Sequence, residues 1–305
     1  MSKFLLTGAA GFVGRALLAE APPEHEWVAV DLGFPPGWNP GVVVTESVVS
    51  DLSDPGELRS LVERVQPDAV VHLAGWTGKG GTAQNRSKLL AANLVSTWNL
   101  VDAILCAGLK HPVQFLLASS ALVYGNQPGP FQESFEARPL DEYAITKWLA
   151  EEVLRVGAKG GGVLPTVIRP AVIYGPGQTG SMFVPALARA LAKGEPFPMT
   201  QGEQKRDLIH VRDVARAIQA LLRVRAEGVF NVGTGMGIPL LEIGRNMVEL
   251  AGRGKLLGVG EIPYRENEVW DYAVDASKLC QLVDWRPRIR LADGLKETLE
   301  KEMNP

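Results

Sequence analysis

Lys3-Phe4-Leu5-Leu6-Thr7-Gly8-Ala9-Ala10-Gly11-Phe12-Val13-Gly14 is the stretch that decides the fold, and a helical pattern follows it at once through Arg15-Ala16-Leu17-Leu18. A short apolar run bounded by glycine reads as a strand buried on both faces of a parallel sheet. Strand, tight turn and helix in that order direct backbone N–H groups and a helix N-terminus toward a pyrophosphate. Gly8 then makes the turn, Gly11 lets the phosphates approach, and Gly14 lets helix and strand pack closely, with Phe12 and Val13 between them. A glycine turn without a ligand would look the same in isolation. The next strand, His25 to Asp31, separates the two readings. It ends in a carboxylate about 20 residues on, the spacing of a ribose ligand, whereas a lone strand-end Asp is often only a turn residue. The residues after it, Leu32-Gly33-Phe34, offer no arginine to a 2′-phosphate, so NAD is expected over NADP.

Composition narrows the class. Hydrophobic residues make up 46% of the 305 and charged residues 21%, which fits a globular enzyme and excludes a disordered chain. A net charge of −3 without a long basic run argues against nucleic acid. With only Cys106 and Cys280 there is no disulfide framework, and His25, His72, His111 and His210 are too scattered to suggest a metal site. No signal peptide is evident and no apolar run reads as long enough to span a membrane, so a cytoplasmic protein is expected.

Strands and helices alternate through the first half, the pattern of a doubly wound α/β sheet. After a loop from Gly33 to Gly41, Val42 to Val49 reads as a third strand, and Asp54-Pro55 as the cap and first residue of a helix running to about Val65. Asp68 to Gly75 is a fourth strand. Ligands of such sheets sit beyond the strand C-termini, which assigns Asp51, Leu52, Leu73, Ala74 and Gly75 to the cofactor side. After the loop Trp76 to Thr82, a helix from about Ser87 to Ala107 carries Asn93, a poor helix former, in its interior. Val113 to Ser120 is a fifth strand with hydroxyls at its end, Tyr124 to Leu140 a loop, and Asp141 to Ala150 a helix. A strand over Thr166 to Pro170 follows, after which the alternation weakens. Expected domains are 1–170, with 211–233 returning to the sheet, and a smaller mixed lobe of 171–210 and 234–305.

Tyr143 and Lys147 lie one turn apart on one helix face. A phenol with a pKa near 10 is a poor base at neutral pH, and a neighbouring ammonium would lower it. Ser120, at the end of the neighbouring strand, could hydrogen-bond the oxygen that gains or loses the proton. A surface tyrosine beside a solvated lysine would show the same spacing.

The full ordered set is far more specific. Thr7 to Gly14, Asp51-Leu52, His72 to Gly75, Ser119 to Gly125, Tyr143 to Lys147, Arg169-Pro170, Tyr174 to Gly177, Arg206 to Val211 and Asn231 to Gly233 together resemble the extended short-chain dehydrogenase/reductases, specifically the NAD-dependent epimerase/dehydratase family acting on nucleotide sugars. The resemblance covers essentially the whole chain. It implies a Rossmann domain holding NAD and a C-terminal lobe gripping a nucleotide-diphosphate sugar. It also implies a homodimer formed through the helices that carry Tyr143 and Asn93. Tyr143 would be the acid/base, Lys147 its partner and holder of the nicotinamide ribose, and Ser120 the substrate-facing hydroxyl. Asn93 matches the family's helix asparagine, and Ala118 and Pro170 fall on cofactor-lining positions. Arg206 and Arg265, the latter within Pro263-Tyr264-Arg265-Glu266-Asn267-Glu268, match arginines that hold the substrate diphosphate.

Departures from the family pattern are equally informative. Dehydratases carry an Asp-Glu pair where this chain has Ala121 and Leu122, so elimination of water is not expected. Ala171-Val172 stands where many relatives carry Phe-Asn, which leaves the sugar open. The remaining candidates are C4 epimerisation through a 4-keto intermediate, 4-ketoreduction of a deoxysugar nucleotide, reduction of a non-nucleotide carbonyl compound, and dinucleotide binding without catalysis. The last tends to accompany loss of the Tyr or Lys. Trp38, Trp76, Trp98, Trp148, Trp270 and Trp285 read as core or loop packing.

Overall fold

The computed structural model describes residues 2–38, 44–78, 80–266 and 268–304. The buried apolar runs form strands β1 (Lys3–Thr7), β2 (Glu26–Asp31), β3 (Val44–Val49), β4 (Ala69–His72), β5 (Val113–Ala118) and β6 (Val163–Pro170). With strand Gly228–Val232 they make a seven-stranded sheet in the order Gly228–Val232, β6, β5, β4, β1, β2, β3. The pairings β1–β2, β2–β3, β1–β4, β4–β5 and β5–β6 are parallel. This is the doubly wound, Rossmann-type sheet expected. The chain walks outward from β1 to β3 and then crosses back to β4, so the order reverses between β1 and β4. Thr7 is in register with His72, and His72 with Leu117, which brings the strand ends to one edge beside that switch point. In such sheets ligands bind in this crevice.

Helices α1 (Phe12–Ala19), α2 (Leu58–Val65), α3 (Ala83–Leu89), α4 (Ser96–Cys106) and α5 (Glu142–Gly157) accompany the sheet. Leu58, Leu61, Val62, Leu100, Ile104, Ala150 and Leu154 join Leu5, Val28, Val70 and Phe115 of the strands in one core. The helix expected from Asp54 starts instead at Leu58, because Asp54 Oδ1 accepts from Gly56 N at 2.9 Å and closes a turn. The helix expected from Ser87 starts earlier, at Ala83, where Thr82 caps Asn85 N at 3.2 Å. Of the third strand, Val42 and Val43 lie outside the described residues, as do residues 39–41 and Lys79 of the expected loops.

One expectation is overturned on length. Ala83–Cys106 is continuous helix over 24 residues, with a mean hydropathy of 1.5 in its most apolar window, enough by length and composition to cross a membrane. Its Leu100, Val101, Ala103 and Ile104 are spent on the core just described.

The chain divides into two compact units. The first holds residues up to Val123, Glu136–Arg169 and Ala215–Phe230; the second holds Tyr124–Phe135, Pro170–Val214 and the chain from Asn231. In the second, helices Phe183–Lys193, Leu240–Leu250 and Leu291–Met303 enclose Leu187, Leu191, Ile243, Met247, Leu295 and Leu299. Asp207, fully buried, holds its loops by accepting from Thr234 N at 2.9 Å, Thr234 Oγ1 at 2.6 Å and Gly235 N at 3.0 Å. Residues 124–135 join this unit although the sequence suggested an unbroken 1–170. Phe131 is buried there, its N donating to Ala273 O and its O accepting from Asp275 N, both at 2.8 Å.

Candidate active site

The glycine turn is built for close approach. Gly8 sits at φ +69°, and a Cβ there would meet Ala74 N at 2.6 Å and Leu73 C at 2.8 Å. A Cβ on Gly14 would meet Ala9 O at 2.7 Å and collide with Gly8 O. Gly11 is the N-cap of α1 and the helix has no side-chain cap, so its first N–H groups, from Phe12 and Val13 onward, face the turn. Leu73 N donates to Thr7 O at 3.1 Å and Ala74 N to Thr7 Oγ1 at 3.4 Å, which locks the end of β4, and with it Gly75, beside the turn. Asp31 ends β2 and accepts from Ala10 N at 2.9 Å, tying the carboxylate to the same turn. Asp51 is exposed and accepts from Ser53 N and Oγ at 2.9 and 2.7 Å. Leu52 is buried, its carbonyl accepting from Asn99 Nδ2 at 3.0 Å.

Asp141 caps α5 by accepting from Ala144 N at 2.8 Å, and this starts the helix that carries Tyr143 and Lys147. Burial pushes the Tyr143 phenol up to about 12, the neighbouring Ser120 hydroxyl opposes this, and the Asp141 carboxylate adds to the rise. The lowering of the phenol expected from Lys147 is therefore absent. Lys147 Nζ donates instead to Ala118 O at 2.8 Å, and burial brings it down to about 8 against the opposing charge of Glu151. Below that value it is an ammonium.

Asn93 sits in a π-helical turn, Leu90–Val95, between α3 and α4. Such turns re-aim side chains and are frequent at functional sites. Buried Asn93 grips Trp76 by both backbone groups, accepting from its N at 2.8 Å and donating to its O at 3.1 Å, and donates to Thr146 Oγ1 at 3.0 Å. A Cβ on Gly75 would meet Asn93 Oδ1 at 2.8 Å and Lys147 Nζ at 3.1 Å, so the three converge. Beneath them Thr7 Oγ1 lies 2.7 Å from His72 Nδ1, and Thr97 Oγ1 lies 3.1 Å from Nε2. Burial, aided by Lys147, brings His72 down to about 3 and keeps it neutral.

Ser120, Tyr143, Lys147, Asn93, Ala118 and the glycine turn all fall in the first unit, while Pro170, Arg206 and Arg265 fall in the second. Pro170 is buried at the end of β6. Arg206 is committed within its own unit: Nη2 pairs with Glu268, and Nη1 donates to Val269 O and Lys205 O, each at 2.7 Å. Arg265 is exposed, and Asn267 beside it lies outside the described residues. Among the described residues no group of three or more His, Cys, Asp or Glu side chains could hold a metal.

The sequence model of the NAD dependent epimerase/dehydratase family matches residues 4–233. The chain belongs to this family. Among its relatives, the dTDP-L-rhamnose 4-epimerase of Burkholderia thailandensis is 28% identical, over 97% of this chain and 93% of that one. The structure of Thermotoga maritima UDP-glucose 4-epimerase with UDP-glucose has a TM-score of 0.88 at 26% identity, covering 98% of both chains. MoeE5 in complex with UDP-glucuronic acid and NAD has a TM-score of 0.86 at 31% identity, again covering 98% of both. The chain is thus an enzyme-type short-chain dehydrogenase/reductase of the nucleotide-sugar-modifying family, with NAD as its cofactor. The residues fit that group: a tight glycine turn whose Gly8 and Gly14 have no room for a Cβ against the neighbouring backbone, an uncapped helix N-terminus, and a carboxylate at the end of β2.

Sequence reasoning missed several members of the site. Thr7, His72 and Thr97 form its buried floor, and each is an unremarkable residue within an apolar strand or helix. Ser119, Glu151 and Arg169 form a buried cluster behind Lys147. The spacing of Glu151 one turn after Lys147 was the available signal. Of the tryptophans read as packing, Trp98 and Trp270 are 60% and 46% exposed.

Proposed function

We propose that this protein is a nucleotide-sugar 4-epimerase with a preference for NAD over NADP. The observation that carries the reading is the Ser120 hydroxyl neighbouring the Tyr143 phenol, with Lys147 held at the Ala118 carbonyl and buried Ala121 and apolar Leu122 following Ser120. Tyr143 takes the proton of the sugar C4 hydroxyl as the C4 hydride leaves, and returns it when the hydride comes back to the other face. Ser120 hydrogen-bonds the same oxygen in both directions, and Lys147, cationic below about pH 8, holds the Ala118 carbonyl beside Ser120. When bound, NAD supplies the hydride acceptor and donor. Ala121 and Leu122 offer no acid or base for expelling water, which supports epimerisation over dehydration. Asp31 supports the cofactor preference, since its carboxylate repels a 2′-phosphate and Leu32-Gly33-Phe34 brings no arginine. A homodimer is part of the proposal, supported by exposed Val95, Trp98, Ile145 and Val156 on and beside α4 and α5.

The test is incubation of purified protein with UDP-, dTDP- and GDP-linked sugars and at most catalytic NAD. Sustained interconversion of C4 epimers is expected. Turnover only of 4-keto sugars, with stoichiometric consumption of NADH or NADPH, would make it a ketoreductase. Tighter NADP binding than NAD binding would remove the role given to Asp31.

A further inference from the structure

Behind Lys147 lies an ion pair that the proposed reaction does not use. Glu151 follows Lys147 by one turn of α5, and its carboxylate is clamped by Arg169 of β6, with Nε to Oε1 at 3.1 Å and Nη2 to Oε2 at 2.6 Å. Both side chains are nearly out of reach of water, at 6% and 8% exposure. Glu151 Oε1 also accepts from Ser119 Oγ. Ser119 stands between the two residues that meet the catalytic set: Ala118, whose carbonyl receives Lys147 Nζ, and Ser120, whose hydroxyl neighbours the Tyr143 phenol. A buried ion pair is weak evidence of stabilisation, because apolar residues of similar volume usually serve the core as well or better. Its geometry here suggests a different use.

We propose that Glu151 is a positioning residue: anchored by Arg169, it fixes through Ser119 the end of β5 that carries Ser120 and the Lys147-binding carbonyl, and it is the counter-charge of Lys147. The groups facing Lys147 agree with this. From α5 it meets Glu151, and from β4 it meets His72, which is neutral over the working range. Glu151 is thus the anionic neighbour that opposes loss of the Lys147 proton.

The inference rests on the proposed roles of Ser120, Tyr143 and Lys147, so its test includes a readout that needs no reaction. With lysines selectively carbon-13 labelled and the Lys147 signal identified by its loss in Lys147→Arg, the protein without added cofactor is titrated by NMR. Turnover and its pH profile are measured in parallel. Glu151→Gln should move the Lys147 midpoint down by about 1 unit or more. It should also bring the alkaline loss of turnover to correspondingly lower pH and cut kcat by roughly 10- to 100-fold, the scale of a small misplacement, with little change in KM. Glu151→Asp, which keeps the charge, should restore most of the midpoint.

Because Glu151→Gln strands a buried guanidinium and could fail to fold, the double variant Glu151→Leu/Arg169→Met provides the second arm. It removes both charges without leaving an orphan, and the same losses are expected. A folded double variant with native midpoint and native kcat would make the pair merely structural and overturn the proposal. A shifted midpoint in a protein that turns over no nucleotide sugar would leave the link between Glu151 and Lys147 standing and sink the reaction assignment instead.

Discussion

Replacing Gly8 by alanine drives a methyl group into backbone that cannot swing aside. Two effects add. The φ of +69° is left-handed, which costs a residue with a Cβ about 1–2 kcal/mol. The new Cβ would lie 2.6 Å from Ala74 N and 2.8 Å from Leu73 C, and overpacking of this kind costs about 1–3 kcal/mol. The sum, roughly 2–5 kcal/mol, corresponds to a fall in Tm of about 4–20 °C for a unit of this size. Two controls separate the contributions. Gly108 has φ +60° with nothing within 4 Å of its Cβ position, so Gly108→Ala should show the backbone cost alone. Gly14 has no positive φ but crowds Ala9 O at 2.7 Å, so Gly14→Ala should show the crowding alone. Thermal melts of the four proteins, with NAD titrations on each, make the assay. Any 1.4 kcal/mol relieved by moving the turn should weaken NAD binding about tenfold in Gly8→Ala and Gly14→Ala, and not in Gly108→Ala. A Gly8→Ala protein no less stable than Gly108→Ala, with native NAD affinity, would refute the close approach of the turn to β4 as the reason for glycine there.

Tyr143→Phe should leave NAD binding intact and cut turnover by roughly 10²–10⁴, measured by steady-state kinetics and cofactor titration. His72, lowered to about 3 from 6.5, predicts an acid limb of stability. Between those values the unfolded chain binds a proton that the folded protein refuses, so stability present above pH 6.5 is lost as pH falls. The loss is about 2 kcal/mol by pH 5, and His72→Gln should flatten the slope of denaturant-derived stability against pH by that amount. Trp98, 60% exposed on α4, should be central to a dimer, and Trp98→Glu should give monomers by light scattering while the wild type scatters as a dimer.

Much of the first unit was legible because its signals are local. The apolar run into Gly8, the carboxylate ending β2, the small residues after β4 and the four-residue spacing of Tyr143 and Lys147 each follow from periodicity or turn chemistry. What escaped depends on partners far away in sequence. Residues 124–135 look like an ordinary loop until Phe131 pairs with Ala273 and Asp275. Arg206 reads as a free cation until Glu268 takes it, and Ser119 as one more strand-end hydroxyl until Glu151 and Arg169 claim it. Asn93 drew notice as a poor helix former, but the π-turn that aims it at Trp76 is set by tertiary hydrogen bonds. Trp98 was misread for a simpler reason: aromatic residues usually pack, as buried Trp285 and Trp270 against Tyr264 do, and nothing within α4 itself marks Trp98 as facing outward.

The most direct measurement follows the hydrogen at C4. A nucleotide sugar that the protein epimerises is prepared with deuterium on C4 and incubated with the enzyme and catalytic NAD in ordinary water, and both epimers are analysed by mass spectrometry and NMR. If Tyr143 handles the proton while the hydride leaves C4 and returns to it within one cofactor-bound cycle, both epimers keep the deuterium on C4. Loss of the label to water or its accumulation in released NADH, or a need for stoichiometric reduced cofactor, would contradict that account.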